Sequence, residues 1–268
     1  MDILAIANQK GGVGKTTTAV NLAGALAKKR KKVLLIDLDA QGNATTASGL
    51  DKRELNHNIA DVLLDDIPLF DAIVKSSAGY DVVGANGDLS GIDLSLSQLD
   101  NNHALLATAI QALKMQMQTQ NLAKNSRIQK NYDFVVIDCA PSLSLLTINA
   151  MCATNGVIIP MQCEYFALEG LADLSLTIER LTELNPNLHI RGVLRTMFDS
   201  RNTLANDVSR ELKQHFGDIL FNTIIPRNIR LAEAPAYGMS VLDYESGSTG
   251  AYAYTKLANE IIKQNQQV

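Results

Sequence analysis

Near the amino terminus, Gln9-Lys10-Gly11-Gly12-Val13-Gly14-Lys15-Thr16-Thr17 combines three glycines, two lysines and adjacent hydroxyls. An apolar run, Ile3 to Ala7, precedes this segment, and the helical sequence Thr18-Ala19-Val20-Asn21-Leu22-Ala23 follows it. Strand, glycine loop and helix in that order present backbone N–H groups at a helix amino end, where the dipole favours anions. Gly11, Gly12, Val13, Gly14, Lys15, Thr16 and Thr17 can therefore close around a polyphosphate. Lys15 reaches its terminal phosphates and the Thr16 hydroxyl is available to Mg²⁺. A dinucleotide fingerprint, GxGxxG, does not place Lys-Thr straight after its last glycine. The common phosphate-loop pattern GxxxxGK[ST] places a glycine at position 9, where this chain has Gln9 followed by a second lysine, Lys10. A lysine this early cannot easily share one terminal phosphate with Lys15. It either points toward phosphates held by a second subunit or is simply a solvent-exposed lysine.

Three carboxylates stand at the ends of apolar runs. Val135-Val136-Ile137-Asp138 reads as a buried strand that ends in a carboxylate, which puts Asp138 near the phosphates, where it can hold Mg²⁺ through water. Capping of the helix after Pro141 is the plain alternative. Asp37 and Asp39 flank Leu38, and the strand period points both to one face. Two aspartates opening a turn before Gln41-Gly42-Asn43 is the plain reading of that pair.

The elements that must position these groups alternate in type. Apolar runs at Ile3 to Ala7, Val33 to Leu38, Tyr80 to Gly84, Phe134 to Asp138, Val157 to Pro160, Ile190 to Thr196 and Leu220 to Ile225 predict strands. Segments of helical period at Thr16 to Lys29, Ala104 to Leu122, Leu143 to Met151, Ala167 to Leu184, Leu204 to Phe216 and Ala251 to Lys263 predict helices. This is an α/β fold with a mainly parallel twisted sheet and helices on both faces. Neither repeats nor Pro/Gly/Ser linkers divide it, so residues 1–268 read as a single domain. With 46% hydrophobic and 19% charged residues, the composition is that of a soluble globular protein. Cys139, Cys152 and Cys163 form no CxxC and lie in or beside apolar runs, so reduced buried thiols in a cytoplasmic protein are expected. The amino terminus lacks a basic signal-peptide region and enters a strand directly, leaving no room for a helix-turn-helix domain ahead of it. Apolar stretches stay short of the roughly 18 residues of a membrane span.

Charge is uneven along the chain. The net charge is −4, yet residues 191–230 hold seven basic against four acidic side chains, while the remainder holds 17 against 24. A local phosphate-binding face is the reading of that asymmetry, with Arg201, Arg227 and Arg230 as the choices and scattered solvated arginines as the alternative. Lys28-Lys29-Arg30-Lys31-Lys32 falls where the first helix ends, so it reads as a helix end whose cations complement the dipole.

Taken together, KGGVGKTT (Lys10 to Thr17) resembles the deviant Walker A box of the ParA/Soj, MinD and nitrogenase iron-protein superfamily. LLIDLDAQGNATT (Leu34 to Thr46), VVIDCAPSL (Val135 to Leu143), IIPMQCEYFALEGL (Ile158 to Leu171) and IIPRNIRLAEAPAYG (Ile224 to Gly238) are similar to blocks of the ParA/Soj branch. Ala140, where the family more often has proline, and the weakly matching stretch from Asp51 to Arg127 depart from it.

The resemblance implies an ATPase with ATP/ADP and Mg²⁺. Lys10 would contact nucleotide across a face-to-face, ATP-dependent homodimer. Asp39 would orient the attacking water, Asp37 would support loop or metal geometry, and Pro226 and Asn228 would hold the adenine base and sugar. It further implies chromosome or plasmid partition: ATP-bound dimers on non-specific duplex DNA of the nucleoid, released by hydrolysis that a ParB-like partner stimulates. Three alternatives accompany it. An ATPase positioning another cargo on the nucleoid would use the same site. A MinD-like membrane ATPase is disfavoured because Leu257 to Gln264 is only weakly basic and continues a packing helix. An iron-protein-like reductase lacks a matching cysteine pair, since Cys139 stands alone after Asp138.

Overall fold

The computed structural model describes residues 1–122 and 131–266. The weakly matching stretch therefore ends, from 123 to Arg127, outside the described residues. In the amino-terminal half β1 (Asp2–Ile6), α1 (Lys15–Lys28), β2 (Val33–Leu38), α2 (Asn43–Ala47), α3 (Ile59–Leu64), β3 (Ile73–Lys75), β4 (Asp81–Val83), α4 (Ile92–Leu96) and α5 (Leu105–Leu122) follow one another. The second half runs β5 (Phe134–Cys139), α6 (Leu145–Ala153), β6 (Gly156–Gln162), α7 (Ala167–Leu181), β7 (His189–Phe198), α8 (Thr203–Phe216) and β8 (Leu220–Pro226), closing with α9 (Ile229–Glu233), α10 (Val241–Tyr244) and α11 (Thr249–Asn265).

One eight-stranded sheet results, in the order β3-β4-β2-β5-β1-β6-β7-β8, parallel throughout except for the β3–β4 edge pair. All seven expected strands are present. The eighth, β3, is as short as β4 but half-exposed, so it lacks the buried pair that Val82 and Val83 give β4, and no apolar run announces it. α6 begins at Leu145, two residues later than its sequence pattern suggests, and leaves Leu143 exposed. The short helices α2, α3, α4, α9 and α10 lie in segments where no element was expected.

Alternate strand residues feed two cores, as a sheet covered on both faces requires. Leu4, Ile6, Leu35 and Val136 pack beneath Leu22 and Leu26 of α1 and Tyr254 and Leu257 of α11. Ala5, Leu34, Ile36, Val135 and Ile137 pack on the other face with Leu106 and Ile110 of α5 and Leu174 of α7. Register then aligns the carboxyl ends of the central strands: Asp138 of β5 pairs with Ile6 of β1 on one side and Asp37 of β2 on the other. The loop after β1 thus emerges beside two carboxylates, at the crevice where open α/β sheets bind ligands.

The basic run at the end of α1 is a helix terminus at the opposite edge of the sheet. Arg30 is left-handed (φ 61°), Arg30 N–H donates to Ala27 O at 2.8 Å and Lys31 N–H to Leu26 O at 3.1 Å, which is a Schellman ending with arginine where glycine is usual. Lys28 Nζ pairs with Asp243 at 2.5 Å. Because a side chain at this φ is strained, Arg30→Gly is expected to stabilise the fold by up to about 1 kcal/mol, read as a higher midpoint in urea. A lower midpoint would show that the Arg30 side chain contributes more than its backbone costs.

Candidate nucleotide-binding site

The loop between β1 and α1 is shaped by its glycines and held from two neighbouring strands. Gly12 and Gly14 take positive φ, 72° and 89°, and Gly14 is the N-cap of α1. From the end of β6, Gln162 Nε2 donates to Gly12 O at 3.0 Å; from β7, the Thr196 hydroxyl donates to Val13 O at 2.7 Å. Asn8 braces the entrance, donating to Pro160 O at 2.8 Å and accepting from Lys10 N–H at 2.9 Å. Lys15 is buried, and its Nζ donates to Lys10 O at 2.9 Å, so a carbonyl of the loop itself holds the ammonium. Burial lowers the Lys15 pKa, while the charges of Asp138 and Asp39 oppose that shift.

Asp138 is fully buried, and neither carboxylate oxygen makes a hydrogen bond of standard geometry. Burial first and the Asp37 charge second push its pKa well up; the nearby Thr16 hydroxyl and Lys15 act in the other direction. A buried, orphaned carboxylate beside a hydroxyl suits a hard cation that takes oxygen ligands and keeps several waters. Among the described residues there is no cluster of three or more His, Cys, Asp or Glu side chains able to hold a metal alone. Thr16 and Asp138 therefore fit Mg²⁺ only as part of a shell completed by phosphate and water.

The two aspartates of the second strand have different surroundings. Asp37 is fully buried and accepts from Thr45 N–H at 2.8 Å, the Thr45 hydroxyl at 2.7 Å and Asp39 N–H at 3.1 Å, which fastens the first turn of α2. Burial pushes its pKa up to about 6 against those hydrogen bonds. β2 stops at Leu38, so Asp39 belongs to the following loop, where it is half-buried and accepts from Gln41 N–H at 2.9 Å. Both charges bear on Asp138.

Beyond the amino end of α1 lies a pocket of about 300 Å³ whose walls include Gly14, Thr17, Met197, Pro226, Asn228 and Tyr254. It has room for an aromatic base beside the phosphate loop. Asn228 caps α9 by accepting from Arg230 N–H at 2.9 Å and donates to the Thr249 hydroxyl at 2.7 Å. Met197 is left-handed (φ 49°), and Tyr254 reaches back to the Thr18 hydroxyl at 3.2 Å. Larger surface grooves of about 790 and 730 Å³ lie along α11 and at the amino-terminal edge of the sheet, and neither touches the loop.

Comparison with known proteins fits this geometry. A family described as an AAA domain matches residues 1–190. The chromosome partitioning protein ParA of Caulobacter vibrioides is 46% identical over 266 residues, covering 98% of this chain and 95% of that protein. The chain belongs to the ParA/Soj family of ATPases. The sporulation initiation inhibitor Soj of Bacillus subtilis is 44% identical over 261 residues, covering 97% of each chain. Among solved structures, cobyrinic acid a,c-diamide synthase of Mycobacterium smegmatis with bound ADP and magnesium has a TM-score of 0.80 at 33% identity, covering 99% of this chain and 96% of that one.

In this ParA/Soj chain Lys15, Thr16, Asp39 and Asp138 come together at one crevice, Gly14, Thr17, Pro226 and Asn228 line the adjoining pocket, and Gly11, Gly12 and the buried Val13 form the loop that leads into α1. Lys10 does not project freely: its Nζ is 2.5 Å from Glu164 Oε2. The chosen arginines also have partners that the sequence did not announce. Arg201 binds Asp199 through two nitrogens, at 2.9 and 2.8 Å, and holds that carboxyl down to about 2; Arg230 pairs with Glu233 at 2.7 Å. Arg227 is exposed and, among the described residues, has no carboxylate within ion-pair distance, although its charge also bears on Asp199. Cys139 and Cys163 are buried as expected, but Cys152 is half-buried, a correction that follows from its place near the end of α6. Among the described residues no helix is long and apolar enough to cross a membrane.

Missing from the sequence reading are Gln162, Thr196, Met197 and Glu164. Gln162 and Glu164 fall inside a block that resembles the family, which was the one available signal for them.

Proposed function

We propose that this chain is a DNA-segregation ATPase: with Mg-ATP bound, two chains pair face to face and hold duplex DNA without sequence preference, and a ParB-like protein stimulates the hydrolysis that releases it. The observation that carries the reading is the crevice itself, where Lys15, Thr16 and the unpartnered Asp138 converge at the amino end of α1. The likeness to ParA and Soj adds the cellular role.

In this reading backbone N–H groups of Gly11 to Lys15 bind phosphate oxygens, and the Lys15 ammonium moves from the Lys10 carbonyl to the terminal phosphates. Thr16 and Asp138 hold the metal, Asp138 through water. When bound, Mg²⁺ neutralises charge that develops on the transferred phosphoryl group. Asp39 orients the attacking water from its loop, while Asp37 keeps α2 and therefore that loop in place. Pro226 and Asn228 take the adenine base and sugar. Lys10 reaches the nucleotide of the partner chain, which makes pairing depend on ATP. Catalysis of this kind rests on positioning and electrostatics, so completing the site with a second chain acts as a switch.

For DNA, Arg227 offers the least neutralised cation of the three, whereas Arg201 and Arg230 must give up Asp199 and Glu233 to meet phosphate. Affinity for duplex DNA should require ATP and show little sequence preference. Log K should fall by about 0.9 per neutralised phosphate for each decade of salt. Reversing Arg227 should weaken binding more than reversing either of the others, with nucleotide affinity measured on each variant because Asn228 is adjacent. If reversal of Arg201, Arg227 and Arg230 together spares ATP-dependent DNA binding while nucleotide affinity stays normal, the face is wrong and the Lys28 to Lys32 run is the next candidate.

A further inference from the structure

We propose that Glu164 is a positioning residue that keeps Lys10 inside its own chain and thereby sets how readily two ATP-bound chains pair; the proposal rests on the cross-chain role given to Lys10 above. Lys10 Nζ lies 2.5 Å from Glu164 Oε2, a contact between residues 154 positions apart. Both ends of that contact are built. The Lys10 N–H donates to Asn8 Oδ1 at 2.9 Å, and the Lys10 carbonyl accepts Lys15 Nζ at 2.9 Å. On the other side, Glu164 N–H donates to Gln162 O at 3.0 Å and Glu164 O accepts from Ala167 N–H at 3.0 Å, at the entry to α7. Gln162 in turn holds Gly12 O, so the segment from 162 to 164 grips the phosphate loop at two points.

The pair has the properties of a latch. Its side chains are 55% and 50% exposed, so no buried charge depends on it and water can replace either partner. A carboxylate in its own chain and a phosphate in a second chain are rival anions for the Lys10 ammonium, and the hold of one weakens its reach toward the other. Lys10 is also coupled to the nucleotide through its backbone, because its carbonyl is where Lys15 rests without phosphate. Once phosphates draw Lys15 away, Lys10 loses that restraint; Asn8 still holds its backbone N–H, and Glu164 holds its ammonium. An exposed pair of this kind shifts an equilibrium about 2- to 5-fold, and two pairs must open for each dimer, giving about 4- to 25-fold in the pairing constant.

The test uses the full chain with Mg²⁺ and a non-hydrolysable ATP analogue, the mass being followed by sedimentation over a range of protein concentration. Glu164→Gln, which keeps the side chain's size and polarity, should lower the concentration for half-pairing about 4- to 25-fold, and the gain should shrink at high salt as the wild-type pair is screened. Glu169→Gln, an exposed carboxylate five residues further on, should leave pairing as in the wild type. Lys10→Ala/Glu164→Gln should pair no better than Lys10→Ala. Unchanged or weakened pairing of Glu164→Gln overturns the latch, as does an equal gain from Glu169→Gln or a gain that survives without Lys10. Normal pairing of Lys10→Ala alone would instead overturn the cross-chain role of Lys10.

Discussion

Lys15→Ala should bind neither ATP nor ADP at concentrations that saturate the wild type, a loss of about 30-fold or more, since removing one partner of a buried charge pair costs upwards of 2 kcal/mol. Lys15 is only 7% exposed and its ammonium is held by a single loop carbonyl, so the structure keeps this charge ready in a desolvated crevice at the amino end of α1. The fold itself should tolerate the change, because Val13 stays tied to Thr196 and Gly12 to Gln162 without it. Equilibrium titration with a fluorescent nucleotide and a thermal melt on the same sample separate the two effects. Retained affinity would move the terminal phosphates away from Lys15 and undo the assignment of the loop.

The second large effect concerns the chemical step. Asp39→Ala should release phosphate about 100-fold more slowly or worse, the scale on which positioned acid–base groups act, while ATP binding stays near the wild-type value. The reason lies in how the two aspartates differ. Asp37 is locked under α2 by three hydrogen bonds, whereas Asp39 accepts one bond from Gln41 N–H and keeps the rest of its carboxylate available in the crevice. Asp37→Ala should accordingly act through stability and loop order, with a lowered melting midpoint. Wild-type turnover by Asp39→Ala would assign the water to another residue.

How much of this could be read from the chain alone follows the range of the interactions. The phosphate loop, Asp138 and the seven anticipated strands are local patterns: a few adjacent residues carry both the geometry and the chemistry, so their spacing suffices. β3 failed to register because its three residues are half-exposed where the equally short β4 buries Val82 and Val83, and α2 because its first turn is fixed by Asp37, from another element. The contacts that tune the site are longer in range. Glu164 meets Lys10 across 154 residues, and Tyr254 meets Thr18 across 236, so neither pairing leaves a trace in spacing. Arg201 and Arg230 lie within three residues of their carboxylates, and counting charge over a segment hid that pairing. Net charge gives the excess of cations over anions in a stretch, and only geometry says which cations are already neutralised.

ATP-dependent pairing is the claim on which the DNA face, the role of Lys10 and the latch all depend. The most direct measurement is the solution mass of Asp39→Ala, which should hold ATP without consuming it, determined by sedimentation equilibrium with Mg-ATP and again with Mg-ADP. The account predicts twice the 29.0 kDa of one chain with ATP and a single chain with ADP. A single-chain mass with ATP demonstrably bound would contradict it.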